Sequence, residues 1–179
     1  MKKRAHHQFN IDFGSPELRA AGQALLTQLG FDEMARDASE AAILLREAMR
    51  VERLVSCYHG AGLSAELERP FQHLAAFERR DDARRMCAKL NKEGYTDASI
   101  ARLKDSDGKT HFFLTFGHSG KLATDDLAPH TVKLARTAYY CGGEYDGWQF
   151  PTTSVEAQLV RAAMEKGMEM EIPGMQSIH

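Results

Sequence analysis

Eight histidines among 179 residues are the side chains in this sequence best suited to metal binding or to proton transfer near neutral pH. His73 and His111 lie in two stretches that read as strands, and pairing of those strands would bring two imidazoles together. Zinc needs further ligands, and none stands at a usable spacing, so sheet-face or surface histidines are expected instead. His118 sits in Gly117-His118-Ser119-Gly120, a short way before Asp125 and Asp126. That group, or Asp146 with Tyr145, is the nearest approach to an acid–base pair. Asp125 and Asp126 also suit a helix start, where carboxylates complement the dipole. Ser119 lacks a G-x-S-x-G elbow, and its glycines would cradle phosphate only directly ahead of a helix. Cys57, Cys87 and Cys141 are too widely spaced for a CxxC pair or a zinc site and are expected as reduced thiols. No catalytic residue, metal or cofactor is expected; a small hydrolase-like enzyme is kept as an alternative.

The bulk numbers point the same way. Hydrophobic residues make up 43% and charged residues 27%, as in ordinary globular proteins. Net charge is −2 with both signs interspersed, which lacks the clustered Lys and Arg of a phosphate-binding footprint. Nucleic acid is therefore disfavoured as a partner, although an RNA-binding sheet face carrying Phe113 and His111 is a second alternative. No apolar run long enough to cross a membrane occurs, and Met1-Lys2-Lys3-Arg4 is followed by no apolar signal region, so a cytoplasmic protein is expected.

The elements that must position these side chains follow from periodicity and punctuation. Ser15-Pro16-Glu17 gives an N-cap, a proline in the first turn and an acid, and Leu18, Ala21, Leu25 and Leu29 continue at helical spacing to Gly30. A second helix is expected from Ser39 to Cys57 on the stripe Ala41, Leu44, Leu45, Ala48, Val51 and Val55. Its Glu40, Glu47, Glu52, Arg46, Arg50 and Arg53 read as solvated salt-bridged faces. Ser64 to Glu68 suggests one helical turn before Pro70.

From Phe71 the pattern changes. Phe71 to Phe77 alternates as a strand. Asp81 is expected to cap a helix with Ala83, Met86, Cys87 and Leu90 inward, ending at Gly94-Tyr95. Ser99 to Leu103 is a second strand, Asp105 to Gly108 a turn and Thr110 to Phe116 a third strand. Gly117 to Gly120 is expected to loop out. A helix then starts near Thr124 or Pro129 and ends at Gly142-Gly143, and Glu144 to Phe150 forms the last strand. Thr153-Ser154-Val155-Glu156 fits a capping box for a helix with Val155, Leu159 and Ala163 inward, ending at Gly167. The order strand, helix, hairpin, helix, strand predicts an α+β, ferredoxin-like βαββαβ fold, with a four-stranded antiparallel sheet and two helices on one face. Right-handed crossovers put the first and third strands at the centre. The N-terminal helices are expected to cover the other face, since an exposed apolar sheet is a liability.

Gly142-Gly143-Glu144-Tyr145-Asp146-Gly147-Trp148 is the most informative stretch. The glycine pair lets the chain reverse from helix to strand, and Asp-Gly inside a strand suggests a bulge. Aromatics with polar tips beside carboxylates suit a hydrogen-bonded corner of the core or a protein-binding spot. This string, with Phe71-Gln72-His73-Leu74, Leu90-Asn91-Lys92-Glu93-Gly94-Tyr95 and Asp125-Asp126-Leu127 before it, resembles the ribonuclease E regulator B (RraB) family over residues 71 to 150. The resemblance implies regulation, as an inhibitor, of a ribonuclease E type enzyme by direct protein contact, with no catalytic residue, metal or cofactor. Glu144, Tyr145, Asp146 and Trp148 are the candidate partner-binding residues; self-association is left open. Family members known to end in a strongly acidic tail lack the helical extension seen here. The organisation expected is a helical extension over 1–69, the ferredoxin-like domain over 70–151, and a helix and tail over 152–179.

Overall fold

In a computed structural model that describes residues 14–31, 35–104 and 107–165, the chain forms five helices and four strands. Helix α1 spans Pro16–Gln28, and its Ser15 cap accepts a hydrogen bond from the Leu18 N–H. Helix α2 spans Ala38–Gly60 and is capped in the same way by Asp37. Then follow β1 (Glu68–Phe77), α3 (Arg80–Lys92), β2 (Thr96–Lys104), β3 (Thr110–Lys121), α4 (Thr124–Tyr140), β4 (Gly143–Gln149) and α5 (Ser154–Glu165). The expected turn residues Asp105 and Ser106 and the helix stop at Gly167 lie outside the described residues.

The sheet is antiparallel with order β2-β3-β1-β4, so the first and third strands are central, as the crossover rule requires. Ala75, Phe77, Leu114, Phe116 and Tyr145 on one face share a core with Ala83, Met86 and Leu90 of α3 and Leu134, Ala135 and Ala138 of α4. This is the expected βαββαβ arrangement.

Several local expectations are overturned, each for a traceable reason. The Ser64–Glu68 turn is not helical and Gly117–Gly120 is no loop: Glu68, Arg69, Pro70 and Phe71 pair with Lys121, Gly120, Ser119 and His118. Pro70 lies where β1 pairs with β3 alone, since the pairing with β4 begins only at Gln72, and proline is confined to such edge positions. Helix α3 starts at Arg80 with no side-chain cap, and Asp81 falls in its first turn. Helix α4 takes the earlier of its two expected starts. In α5 the capping box forms, with Thr153 N–H donating to Glu156 and the Glu156 N–H donating to Thr153 Oγ1. Glu156 also ion-pairs with the buried Arg69 at 2.6 Å, which fixes the helix phase so that Val160 and Ala163 are buried while Val155 and Leu159 are exposed.

The N-terminal helices do not cover the far face of the sheet. Helix α2 packs on α4, with Leu44, Ala48, Val51 and Val55 joining Leu127, Ala128 and Val132, and α1 packs outside it. A methyl group on Gly22 of α1 would stand 2.7 Å from Met49 Cγ, a measure of how closely the two helices approach. On the opposite sheet face Leu74, Ala76, Phe113 and Thr115 are half-buried and Leu103 is exposed. The expected solvated charges on α2 also fail in part, since Glu40 and Glu47 are buried.

Candidate functional site

β4 is an edge strand, reached through the left-handed Gly142 (φ +79) and through Gly143, where a methyl group would stand 2.3 Å from the Phe77 ring. The expected bulge is present: Leu74 faces Gly147 while Ala75 faces Tyr145, so Asp146 is the extra residue and Gly147 takes φ +122. The bulge sorts the four expected partner-binding residues. Glu144 and Asp146 are exposed. Tyr145 is buried in the helix-side core, and Trp148 is half-buried against Tyr58, Phe71 and Phe150.

Tyr145 opens a chain of polar rings that runs outward from the core. Its hydroxyl lies 2.6 Å from His73 Nδ1, and His73 Nε2 lies 2.6 Å from His118 Nδ1. His118 stacks on His130 with ring centres 4.3 Å apart, and His130 Nδ1 lies 3.0 Å from the Tyr95 hydroxyl. Burial, with the nearby Glu47 carboxyl, holds the Tyr145 phenol well above its ordinary pKa. It therefore stays protonated, and a protonated phenol can donate to His73 Nδ1 or accept from it; in the order where it donates, His73 Nε2–H donates to His118 Nδ1. That order leaves the His118 Nε2–H as the terminal donor, buried and without a hydrogen-bond acceptor among the described residues. A methyl group on Gly120 would stand 3.3 Å from this nitrogen and 2.8 Å from Asp126 Oδ2. Outside lies a cavity of about 310 Å³ lined by Tyr95, His118, His130 and Lys133 among others.

The register decides which histidines meet. His73 faces Phe116 and His111 faces Leu103, so those two do not form the pair considered from sequence; His118 meets His73 instead. Burial, reinforced by His118 and His130, depresses His73, and burial with His130 brings His118 down to about 4 despite Asp126. Neutral imidazoles of this kind hold an order of protons but make poor bases near neutral pH. The two acid–base pairs considered from sequence are not hydrogen-bonded pairs: Tyr145 is engaged by His73, and Asp126 accepts from the Lys121 N–H. No group of three or more His, Cys, Asp or Glu able to hold a metal is present among the described residues.

On its other side Tyr145 borders a cavity of about 240 Å³ between α2 and β4, lined also by Ile43, Arg46, Glu47, Arg50, Tyr139 and Glu144. Arg46 reaches Glu144 at 3.0 Å, both well exposed. Glu47 is buried, and burial outweighs Arg50, Arg46 and Thr131 to push its carboxyl up to about 8. None of Glu40, Glu47, Arg50, Tyr95 and His130 stands out as a site residue in the sequence. For His130 a signal existed, because Asp126 and His130 are four apart and share one helix face.

Tyr145→Phe is expected to lower stability by about 1–3 kcal/mol, because His73 Nδ1 would be left buried without its hydrogen-bond partner. Urea unfolding at pH 7 reads this directly; an unchanged midpoint would mean that the hydroxyl orders nothing.

The family described as Regulator of ribonuclease activity B matches residues 51–149, from within α2 to the last residue of β4. No curated protein matches the chain.

Proposed function

The chain belongs to the regulator of ribonuclease activity B family, whose match covers more than half of its 179 residues, and we propose that it acts as a non-catalytic inhibitor that binds a ribonuclease E type enzyme as a protein partner. The observation that carries this is the coincidence of the matched segment with the whole four-stranded unit, closed by a strand that presents two acids outward. Glu144 and Asp146 stand exposed on an edge strand while Tyr145 and Trp148 anchor the same strand inward. Rim charges of this kind steer a partner and set register, and rigid aromatics beneath them keep the surface in shape. The bulge also blunts the strand edge, which favours recognition by side chains over indiscriminate strand pairing. Among the described residues no helix is long and apolar enough to cross a membrane. A cytoplasmic location follows from the partner proposed.

Beads carrying the full chain are expected to retain a purified ribonuclease E type enzyme and to slow its cleavage of RNA. The double variant Glu144→Lys, Asp146→Lys should weaken retention by about tenfold or more with an unchanged melting curve. Absence of retention by the wild-type chain would sink the proposal. The uncovered sheet face supports a second reading, RNA binding through Phe113. Retention of RNA alone, abolished by Phe113→Ala, would favour that reading over the first.

A further inference from the structure

We infer that the cavity between α2 and β4 is a receptor for one carboxylate side chain of a protein partner, with Arg50 as its principal donor and Arg46 at its mouth. This rests on the protein-binding reading above and names the chemistry that the partner must bring.

Arg50 Nη1 is buried and makes no hydrogen bond among the described residues. It contacts Glu47 Oε2 at 3.3 Å without hydrogen-bond alignment. Its position is set from below, since a methyl group on Gly147 would stand 3.2 Å from the same nitrogen. The guanidinium therefore lies over the bulge of β4. Glu47, 4% exposed, also has Oε1 without a hydrogen-bond partner. Two unsatisfied buried polar atoms on one cavity wall are unusual in a folded chain, because each carries a desolvation cost that a partner would relieve. The cavity volume of about 240 Å³ admits a single acidic side chain.

The charges specify an anion. Arg46 and Glu144 pair at the surface with both side chains well exposed, an arrangement worth little and readily exchanged. Glu47 is the carboxyl facing Arg50 at 3.3 Å, and its burial opposes the ionised form, which makes it a weak counter-ion for the Arg50 guanidinium. An incoming carboxylate would accept from Arg50 and take over Arg46 from Glu144. A polyanionic backbone fits less well. Exposed Glu144 lines the cavity, and exposed Asp146 lies two residues on in the same strand; together they would repel successive phosphates more than a lone carboxylate.

Trp148, the single tryptophan, follows the glycine that Arg50 overlies and supplies a fluorescence signal. Titration of the full chain with an oligoglutamate peptide is expected to change that signal saturably, and an oligolysine peptide is expected not to. Arg50→Gln should weaken the peptide by about tenfold or more, Arg46→Gln by less, and Arg84→Gln on α3 by nothing measurable. Arg46 is exposed, so its variant keeps the test valid should Arg50→Gln unfold. Equal binding by the Arg50→Gln and Arg46→Gln chains, or equal binding of oligolysine, would overturn the inference. Inorganic phosphate saturating at the same concentration as the peptide would overturn its protein source. Ribonuclease retained equally by wild-type and Arg50→Gln chains would remove the cavity but leave the protein-binding reading standing. Peptide bound but no ribonuclease retained would do the reverse.

Discussion

Glu40→Ala is expected to lower the unfolding free energy by about 3 kcal/mol, the lower end of the cost of stripping one partner from a buried ion pair. Glu40 is fully buried near the start of α2, and it reaches across to α4. Its Oε1 accepts from Arg136 Nε at 2.6 Å, and its Oε2 accepts from the Tyr140 hydroxyl at 2.6 Å and from the Arg36 N–H at 2.8 Å. Burial opposes the ionised form, yet the hydrogen bonds from Tyr140, Arg36 and Arg136 prevail and hold the carboxyl below its ordinary pKa. Alanine would leave a guanidinium and a phenol facing a void, partly relieved because Arg136 and Tyr140 reach solvent. Glu40→Gln keeps the shape and should cost less. Guanidinium unfolding followed by circular dichroism reads both variants. A Glu40→Ala midpoint equal to wild type would mean that the α2–α4 contact is apolar packing alone.

Glu40 also shows where sequence stops being legible. A Glu and an Arg nearly one hundred positions apart leave no local mark, so a buried clamp looks like any solvated helix charge. The same holds for Glu47 and Arg50, whose spacing fits an ordinary surface pair. What alternation and turn chemistry do mark was readable: the strands at Phe71–Phe77 and Thr110–Phe116, the capping box at Thr153, and the Asp146-Gly147 bulge. Strand order followed because crossover handedness leaves few choices. Register did not follow. His73 meets His118 only because β3 continues through Gly117 and Gly120, glycines that locally read as loop. Of the four β4 residues, the strand itself could be placed, but the sorting of Glu144 and Asp146 outward and Tyr145 and Trp148 inward depends on the bulge.

Acid should destabilise the fold well above the carboxylate range. In the unfolded chain His73, His118 and His130 take up protons near the ordinary imidazole pKa of 6.5. In the fold burial keeps all three lower, with His118 near 4, so between those values the unfolded chain binds more protons. Stability is then lost as pH falls from 6.5 toward 4, at about 1.4 kcal/mol per pH unit for each proton held off. Glu47 acts with the opposite sign. Its folded carboxyl titrates near 8 against 4.5 unfolded, so the native state binds the extra proton there and stability falls as pH rises through that range. Three histidines against one glutamate leave a net loss on acidification of about 1.4–3 kcal/mol per pH unit between 6 and 5. Above about pH 7 the unfolded imidazoles are largely deprotonated and Glu47 dominates, so stability should peak near pH 7 and decline gently toward 8. The urea midpoint measured across pH 5 to 8 gives both limbs. His118→Gln should flatten the acid limb by about one proton, and Glu47→Gln should abolish the alkaline decline. A midpoint constant from pH 7 to 5 would mean that the three rings are hydrated in solution and that the Tyr145–His73–His118 chain does not persist there.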